Sequence, residues 1–354
     1  LTVPVVGAGT ANTEYEVLTG MSTRLFGPGE YPYQTCLKDQ AVESVAYNLK
    51  ANGYAAHAIH NHRATFYGRN EVYANLGFDD FTALEYMPQV QLTAKNWAKD
   101  GILTEQILQA LDTTPDQADL VFTVSVQGHG KYPTDLVLQN PDITVTACPD
   151  EDYRYAMEYY VNQIHEMDHF LQDLIEALSQ REEKTLLVLY GDHLPALDLD
   201  SQDMASGSLY KTEYIIWDNF GLSKADDDLP AYQLAAAALS RIGVSTGYFN
   251  AFHQFCQGDP TFATDLWRLQ YDVLYGHEYL YGGTNPYTPS DMRMGMCPIQ
   301  ITGLMHQGED SWYLLGGHFS PYCQVSVDGH ALDAEYVTPW LMILHEVPEI
   351  TDLD

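Results

Sequence analysis

Two short strings of residues carry the chemistry that this sequence could perform. Residues 7–16 read GAGTANTEYE, and residues 186–193 read LLVLYGDH. The first string places Thr10 after a glycine-rich turn, just before a short helix predicted from Thr13 to Leu18, whose free N–H groups and dipole attract an anion. The second string predicts a buried strand that ends at Asp192 and His193, a pair that suits a divalent metal. Thr10 is therefore a candidate nucleophile aimed at a phosphoryl group.

These two strings and three others resemble the lipoteichoic acid synthase family of phosphoglycerol transferases, within the alkaline phosphatase and sulfatase superfamily. The others are residues 60–73 (HNHRATFYGRNEVY), 77–81 (GFDDF) and 126–133 (VQGHGKYP). The resemblance covers about residues 5 to 245 in unbroken order. It implies a layered α/β/α catalytic domain of the alkaline phosphatase and sulfatase type.

The resemblance also implies roles for individual residues. Thr10 would be the nucleophile, and Thr10, Asp192 and His193 would bind the metal. This ligand set is rich in oxygen, which favours manganese or magnesium over zinc. In the family a strand that ends in a metal-binding Glu or Asp precedes the threonine, so we expect that ligand to lie upstream of residue 1.

Substrate binding falls on a second group of residues that the resemblance identifies. His60 and His129 match histidines beside the substrate, with His129 also a candidate for proton transfer, and Arg69 matches an arginine that binds phosphate. Tyr67 stands where family members commonly have tryptophan, and His62 stands where they usually have aspartate. These two differences concern the headgroup pocket more than the reaction.

The charge of the chain excludes nucleic acid as a partner. Sixteen Lys and Arg residues oppose 49 Asp and Glu residues, giving a net charge of −33, which repels a phosphate backbone. An anionic lipid headgroup can still be bound where a metal and a few basic residues make a local positive pocket. Arg69 is the clearest basic candidate because cations are scarce.

Alternating helical and strand patterns predict one large α/β domain and a small β module. Apolar strands are predicted at 54–59, 120–126, 186–190 and 212–217, with helices at 38–52, 102–112, 151–180 and 232–242. We assign residues 1–260 to the catalytic domain without its first strand, 261–297 to a linker, and 298–354 to a small β-sandwich-like module that could continue beyond residue 354. Within the module, Asp328 and Gly329 predict a hairpin turn.

The resulting hypothesis is a metal-dependent phosphoglycerol transferase. Thr10 would take phosphoglycerol from a phosphatidylglycerol-type lipid, and a glycerol or glycan hydroxyl would accept it, in lipoteichoic acid synthesis or glycan modification. Upstream membrane helices would hold the catalytic domain outside the cell membrane. The alternatives are a phosphoethanolamine transferase, a phosphodiesterase or sulfatase of the same superfamily, and a non-catalytic envelope-binding protein.

Two histidine patterns offer other metal sites. His60 and His62 alternate to one face of a predicted strand, and they are the next candidates if Thr10 is not the nucleophile. His165 and His169 lie four residues apart in an H-E-x-x-H string, the spacing of zinc proteases. The second pattern has no third-ligand signature nearby, so we rank it well below the Thr10 site.

Overall fold

The computed structural model of the protein describes residues 1–148, 150–307, 311–321 and 323–345. The helices are α1 (Thr10–Thr19), α2 (Cys36–Asp39), α3 (Val45–Lys50), α4 (Arg69–Asn75), α5 (Ile102–Thr113), α6 (Glu151–Ser179), α7 (Ala231–Arg241), α8 (Tyr248–Cys256) and α9 (Phe262–Tyr275). The strands are β1 (Ala55–His60), β2 (Asp80–Ala83), β3 (Asp119–Val124), β4 (Leu186–Tyr190), β5 (Tyr214–Asp218), β6 (Arg293–Met294), β7 (Gln300–Gln307), β8 (Ser311–Gly317), β9 (Val325–Val327), β10 (His330–Thr338) and β11 (Leu341–His345). No helix among the described residues is long and apolar enough to cross a membrane.

A parallel sheet in the order β3-β1-β2-β6 forms the centre of the large domain. Every residue of β1 is buried, as expected for a strand covered on two faces. One face packs against apolar residues of α5 and α6, and the other against residues of α1, α4 and α9. The predicted layered α/β architecture is therefore confirmed.

Strand β4 pairs antiparallel with β5 in a separate two-stranded sheet. Leu187 of β4 packs against the same apolar cluster as Val121 of β3, and Tyr190 packs against the cluster that holds Phe122. The two sheets therefore pack against the same apolar clusters. The carboxyl ends of β1, β3 and β4 lead into the segments that carry the candidate site residues.

The assignment of residues 261–297 to a linker is wrong for its first half. Residues 262–275 form α9, which buries Leu266, Val273 and Leu274 in the main core. Gln270, fully buried on the same helix, accepts a hydrogen bond from the Ser22 backbone N–H at 2.8 Å. Exposed aromatic residues on the outer face of α9 obscured the helical period, because both faces of the helix carry large apolar side chains.

The C-terminal module is a single five-stranded antiparallel sheet in the order β7-β8-β11-β10-β9 over its described residues. The expected sandwich of two facing sheets is not what these strands form. The hairpin at Asp328 and Gly329 is confirmed, with φ values of 52° and 79°, the left-handed conformation that a type I′ turn requires. The last segment assigned to the module, residues 346–354, lies outside the described residues.

A buried histidine links three strands at the amino end of the parallel sheet. His57 of β1 contacts Asp80 of β2 through Nδ1 at 2.9 Å and Asp119 of β3 through Nε2 at 3.3 Å. Burial alone would lower the pKa of His57, but the two carboxylates outweigh it and the pKa is raised. A protonated His57 therefore joins the strands through two ion pairs.

Stability should consequently fall as the pH rises past the pKa of His57. Because the pKa is higher in the folded than in the unfolded protein, the stabilisation is fully present below the unfolded pKa of about 6.5 and is lost as the pH rises through the folded pKa. We expect the difference in unfolding free energy between the parent and His57→Gln to be greatest near about pH 6 and to shrink at alkaline pH. Urea titrations across this range measure it, and a pH-independent difference would contradict the ion-pair account.

Candidate active site

Thr10 is the first residue of α1. Gly9 precedes it with φ 105°, and no side chain caps the helix. A Cβ on Gly9 would approach Val5 Cγ1 to 3.0 Å, so both the backbone conformation and the available space require glycine there. The turn leaves the Thr10 hydroxyl at the positive end of a ten-residue helix.

The loop after β4 brings Asp192 and His193 to this hydroxyl. His193 Nε2 lies 3.4 Å from Thr10 Oγ1 and 3.3 Å from Asp192 Oδ2. The hydroxyl of Thr13, one turn along α1, donates to the main-chain oxygen of Asp192 at 2.7 Å. The three residues predicted as metal ligands are thus brought together, although about 180 residues separate them in sequence.

The hydrogen bonds of His193 suit a cation at this point. Its Nδ1 lies 2.8 Å from the Leu194 carbonyl oxygen, and since a carbonyl only accepts, Nδ1 carries the proton and Nε2 keeps a lone pair. That lone pair, an Asp192 oxygen and the Thr10 oxygen converge. Oxygen and imidazole donors arranged in this way suit a divalent cation.

The ligand set is nevertheless small. Across the part of the chain that the structure describes, no three carboxylate, imidazole or thiol groups are gathered so as to hold a metal. Asp192 and His193 are two such groups, and Thr10 adds a hydroxyl. The further carboxylate ligand that the family resemblance implies stays a prediction.

The rings of His60 and His129 are hydrogen-bonded in the same way as the ring of His193, from Nδ1 to a main-chain carbonyl. His60 ends β1, and its Nδ1 donates to the Val124 carbonyl at 2.9 Å. His129 follows β3, and its Nδ1 donates to the Gly130 carbonyl. In both rings Nε2 is therefore the unprotonated nitrogen, available to accept a proton or to contact a substrate hydroxyl.

Aromatic rings connect these histidines into a wall. The His62 ring lies 5.8 Å from His60, 5.0 Å from Phe66 and 5.4 Å from Trp97, and Trp97 lies 4.8 Å from His129. We call His62, Phe66, Trp97 and His129 the aromatic wall. Sequence reasoning missed Trp97, because no motif marks it and only the folded chain places it between two histidines.

The imidazoles of His60 and His62 are held neutral. Burial, followed by the positive charge of Arg69, lowers the pKa of His60 well below its usual value. Burial and Arg69 also lower the pKa of His62 to about 4, with His129 and Arg63 adding to the effect. Because burial is the larger cause at both positions, each ring is favoured in its uncharged form.

Arg69 is buried, with only 1% of its surface exposed. Its guanidinium forms a bidentate ion pair with Glu14, with Nε donating to Oε2 at 3.2 Å and Nη2 to Oε1. Nη1 donates to the Phe66 carbonyl at 3.1 Å. Glu14 lies one helical turn after Thr10, so the pair fixes α1 to the segment that carries the aromatic wall. Phosphate binding by Arg69 stays a prediction, and it rests on the guanidinium N–H groups that these three hydrogen bonds do not use.

Tyr67 lies beside this ion pair. Its ring centroid is 5.3 Å from the Arg69 guanidinium carbon and 5.1 Å from the ring of Tyr31. Burial raises the pKa of its hydroxyl to about 12, so the hydroxyl stays protonated and can donate a hydrogen bond. The structure thus places Tyr67 near the candidate site, and its contact with substrate stays a prediction.

A buried carboxylate that the sequence did not reveal organises the histidine loops. Asp100 Oδ1 accepts from Asn61 Nδ2 at 2.8 Å and from the N–H groups of Val126 and Gln127 at 3.3 Å each. Asn61 follows His60, and Gln127 lies two residues before His129. Burial raises the pKa of Asp100 to about 6. Asp100 therefore joins the ends of β1 and β3 where the site histidines lie.

The His165 and His169 pair on α6 stands apart from this arrangement. The two rings are 4.5 Å apart, but within the described ranges no third group joins them in a metal-binding cluster. The five cysteines are likewise all free thiols. Neither group adds to the candidate site.

Comparison with known proteins decides the family. The sulfatase family model matches residues 2–244, which is more than half of the chain and includes every residue of the candidate site. The chain belongs to the sulfatase family. This domain is therefore part of an enzyme superfamily, and the resemblance inferred from the sequence motifs is confirmed.

Individual relatives share part of the sulfatase-family domain. A putative cyclic β-1,2-glucan modification protein of Rhizobium meliloti is 34% identical over 195 residues, covering 55% of this chain and 30% of that protein. Lipoteichoic acid synthase 2 of Bacillus subtilis is 25% identical over 187 residues, covering 52% of this chain and 27% of that protein. The matches span about three tenths of these relatives' length.

Two solved structures share the fold of the sulfatase-family domain. The phosphoglycerol transferase GacH of Streptococcus pyogenes, in complex with sn-glycerol-1-phosphate, has a TM-score of 0.67 at 22% identity, covering 82% of this chain and 79% of that one. The lipoteichoic acid synthase LtaP of Listeria monocytogenes has a TM-score of 0.53 at 18% identity, covering 70% and 62%. These similarities confirm the fold class.

Proposed function

We propose that this chain is the catalytic domain of a metal-dependent phosphoglycerol transferase that acts on phosphatidylglycerol-type lipids. The observation that carries the proposal is the convergence of the Thr10 hydroxyl, the Asp192 carboxylate and His193 Nε2 at the positive end of α1. The reaction is supported by the names of the similar proteins, which include a phosphoglycerol transferase and two lipoteichoic acid synthases.

Thr10, Asp192 and His193 would hold the metal, with manganese or magnesium preferred to zinc. When bound, such an ion supplies positive charge that favours the ionised threonine hydroxyl and the phosphoryl oxygens. The chain's own contribution is orientation. Gly9 fixes the start of the helix, Leu194 fixes the His193 tautomer, and Thr13 holds the main chain of Asp192.

In the first half of the reaction, the Thr10 hydroxyl gives its proton to the unprotonated Nε2 of His129, and Oγ1 attacks phosphorus. A bond forms between Oγ1 and phosphorus while the bond from phosphorus to the diacylglycerol oxygen breaks. The departing oxygen then takes this proton from His129 Nε2, and diacylglycerol leaves. The product is phosphoglycerol esterified to Thr10, with its charge favoured by the helix terminus.

The second half regenerates the threonine. His129 Nε2, now unprotonated, takes the proton from an acceptor hydroxyl of glycerol or a glycan. The acceptor oxygen attacks phosphorus, the bond from phosphorus to Thr10 Oγ1 breaks, and His129 Nε2 returns the proton to Oγ1. Transfer to water instead would make the protein a phosphodiesterase, and product analysis distinguishes the two.

The burial of His60 and His62 favours an uncharged headgroup over an ammonium. Burial is the main cause that lowers the pKa of both rings, with Arg69 adding to it, so an ammonium buried beside them is disfavoured as an imidazolium is. Glycerol carries no charge, whereas ethanolamine is protonated at neutral pH. We therefore place phosphoethanolamine transfer second.

The proposal includes a place in the cell. We propose that the domain works at the outer face of the cell membrane, where phosphatidylglycerol and envelope polymers are both accessible. The net charge of −33 keeps most of the surface away from anionic lipids and leaves the metal site to draw in the headgroup.

Metal binding can be tested directly on the two charged ligands. Replacing His193 or Asp192 by alanine should lower the affinity for Mn²⁺ about tenfold or more, because each change removes a side chain that we propose binds the metal directly. Isothermal calorimetry measures the affinity, with Asp198→Ala as the matched control, since Asp198 is exposed in the same loop. Equal affinity in the parent and both ligand variants would contradict the proposed site.

The proposed reaction is tested with fluorescent lipids. With Mn²⁺ present, we expect labelled diacylglycerol to be released from a phosphatidylglycerol analogue at least about tenfold faster than from the phosphatidylethanolamine analogue. Mass spectrometry of the released headgroup shows whether glycerol, a glycan or water accepted it. Preference for phosphatidylethanolamine would contradict the headgroup assignment, and no release from either lipid would contradict the transferase.

A further inference from the structure

We propose that Trp97 determines headgroup specificity by packing its indole against the carbon skeleton of an uncharged polyol, the glycerol part of the transferred group. The inference rests on the proposed function and adds to it a residue outside every motif named above. Trp97 lies on the turn between Gln91 and Lys99, far in sequence from Thr10. Its ring is the part of the aromatic wall that joins the segment after β1 to the segment after β3.

The position of the indole carries the argument. Its centroid lies 5.4 Å from the His62 ring, tilted by 45°, and 4.8 Å from the His129 ring, tilted by 53°. Trp97 is only half buried, so part of the ring is open. An exposed aromatic surface next to His129, the residue that we propose moves the proton, is well placed to contact the group being transferred.

Unused hydrogen-bonding groups border this surface. Among the described residues the indole N–H of Trp97 makes no side-chain hydrogen bond, and the buried Nδ1 of His62 has no partner. An indole N–H is a donor, and a nitrogen of a neutral imidazole donates or accepts according to the tautomer. A polyol offers carbon-bound hydrogens to the ring face and hydroxyls to such groups, whereas an ammonium only donates.

The turn that carries Trp97 is built to hold the ring in place. Thr93 N–H donates to the Trp97 carbonyl at 2.8 Å, and Lys99 N–H donates to the Gln91 carbonyl at 2.8 Å. Thr93 Oγ1 accepts from Trp97 N–H at 3.2 Å and from the hydroxyl of Tyr159 at 3.0 Å. Thr93 is itself buried, so the main chain that carries the ring is held before substrate arrives, which lowers the entropic cost of binding.

The test compares two substrates that share the phosphodiester but differ in the polyol. One is the fluorescent phosphatidylglycerol analogue, and the other is bis(4-nitrophenyl) phosphate, which has no glycerol. Trp97→Ala should lower kcat/KM for the lipid by about tenfold to a hundredfold, the range expected from losing one aromatic contact, and should change it for the nitrophenyl diester less than about threefold. Trp97→Phe should retain most activity on the lipid.

Trp267→Ala is the matched control, because this tryptophan is 41% exposed on α9. Circular dichroism and thermal melts confirm that each variant is folded, and Trp97→Phe keeps an aromatic ring should Trp97→Ala unfold. Equal losses on both substrates, or none on either, would overturn the assignment.

A binding measurement separates this inference from the proposed function. Calorimetry measures the affinity for glycerol 1-phosphate and for inorganic phosphate. Trp97→Ala should lower the affinity for glycerol 1-phosphate by about tenfold and leave the affinity for inorganic phosphate unchanged. A parent chain that hydrolyses the nitrophenyl diester but ignores phosphatidylglycerol would overturn the transferase while leaving this comparison to decide the role of Trp97. An equal loss of affinity for both ligands, or no binding of glycerol 1-phosphate by the parent, would overturn the role of Trp97.

Discussion

Thr10→Ala is expected to reduce phosphoglycerol transfer by at least about a thousandfold, because the substitution removes the oxygen that forms the covalent bond. The fold should survive, since Thr10 is only half buried and its side chain contacts only His193 by hydrogen bonding. Release of labelled diacylglycerol from the phosphatidylglycerol analogue, measured with saturating Mn²⁺, gives the rate.

Two further variants sharpen this result. Thr10→Ser keeps a hydroxyl at the same point and should retain a substantial part of the activity. Thr65→Ala removes an exposed threonine from the segment after β1 and should leave the rate unchanged. Undiminished release by Thr10→Ala would exclude Thr10 as the nucleophile and would move the search to His60 and His62.

Glu14→Ala should lower the free energy of unfolding by about 3–5 kcal/mol, the cost of leaving one member of a buried ion pair without its partner. Glu14 and Arg69 are each 1% exposed, and the hydroxyls of Tyr33 and Tyr73 also donate to Glu14 Oε2 at 3.1 and 2.9 Å. Removing this carboxylate leaves a guanidinium and two phenols unsatisfied. Urea denaturation measures the loss.

Glu71→Ala is the control for this experiment, because Glu71 is an exposed carboxylate in the first turn of α4. Its loss should change stability by less than about 0.5 kcal/mol. Replacing both members of the buried pair, as in Glu14→Leu with Arg69→Met, should recover part of the stability lost by Glu14→Ala. A loss below about 1 kcal/mol for Glu14→Ala would contradict a structural role for the pair.

Much of the fold follows from the order of apolar strings in the sequence. The strand that ends at His60 and the strand that precedes Asp192 were predicted to within one or two residues, since each is a mainly apolar run bounded by polar residues or glycine. The layered α/β architecture followed from alternating helices and strands. The hairpin at Asp328 and Gly329 was predicted because few residue pairs adopt its backbone conformation easily.

The features that were missed depend on tertiary contacts. Helix α9 was interpreted as a linker because its exposed Trp267 and Tyr271 hide the period of its buried face. Arg69 was predicted to bind phosphate, yet sequence alone cannot show that Glu14 faces it across the fold. Trp97 and Asp100 lie in a polar turn without a motif, and their roles appear only when that turn packs beside the ends of β1 and β3.

The central claim, that Thr10 carries the transferred group, is tested most directly by mass spectrometry of the protein itself. The chain is incubated with the phosphatidylglycerol analogue and Mn²⁺ without an added acceptor, quenched in acid, and digested. We expect a mass increase of one phosphoglycerol group on the peptide that contains Thr10, present in the parent and absent in Thr10→Ala. Release of diacylglycerol with no adduct on any peptide, or an adduct on a residue other than Thr10, would contradict the account.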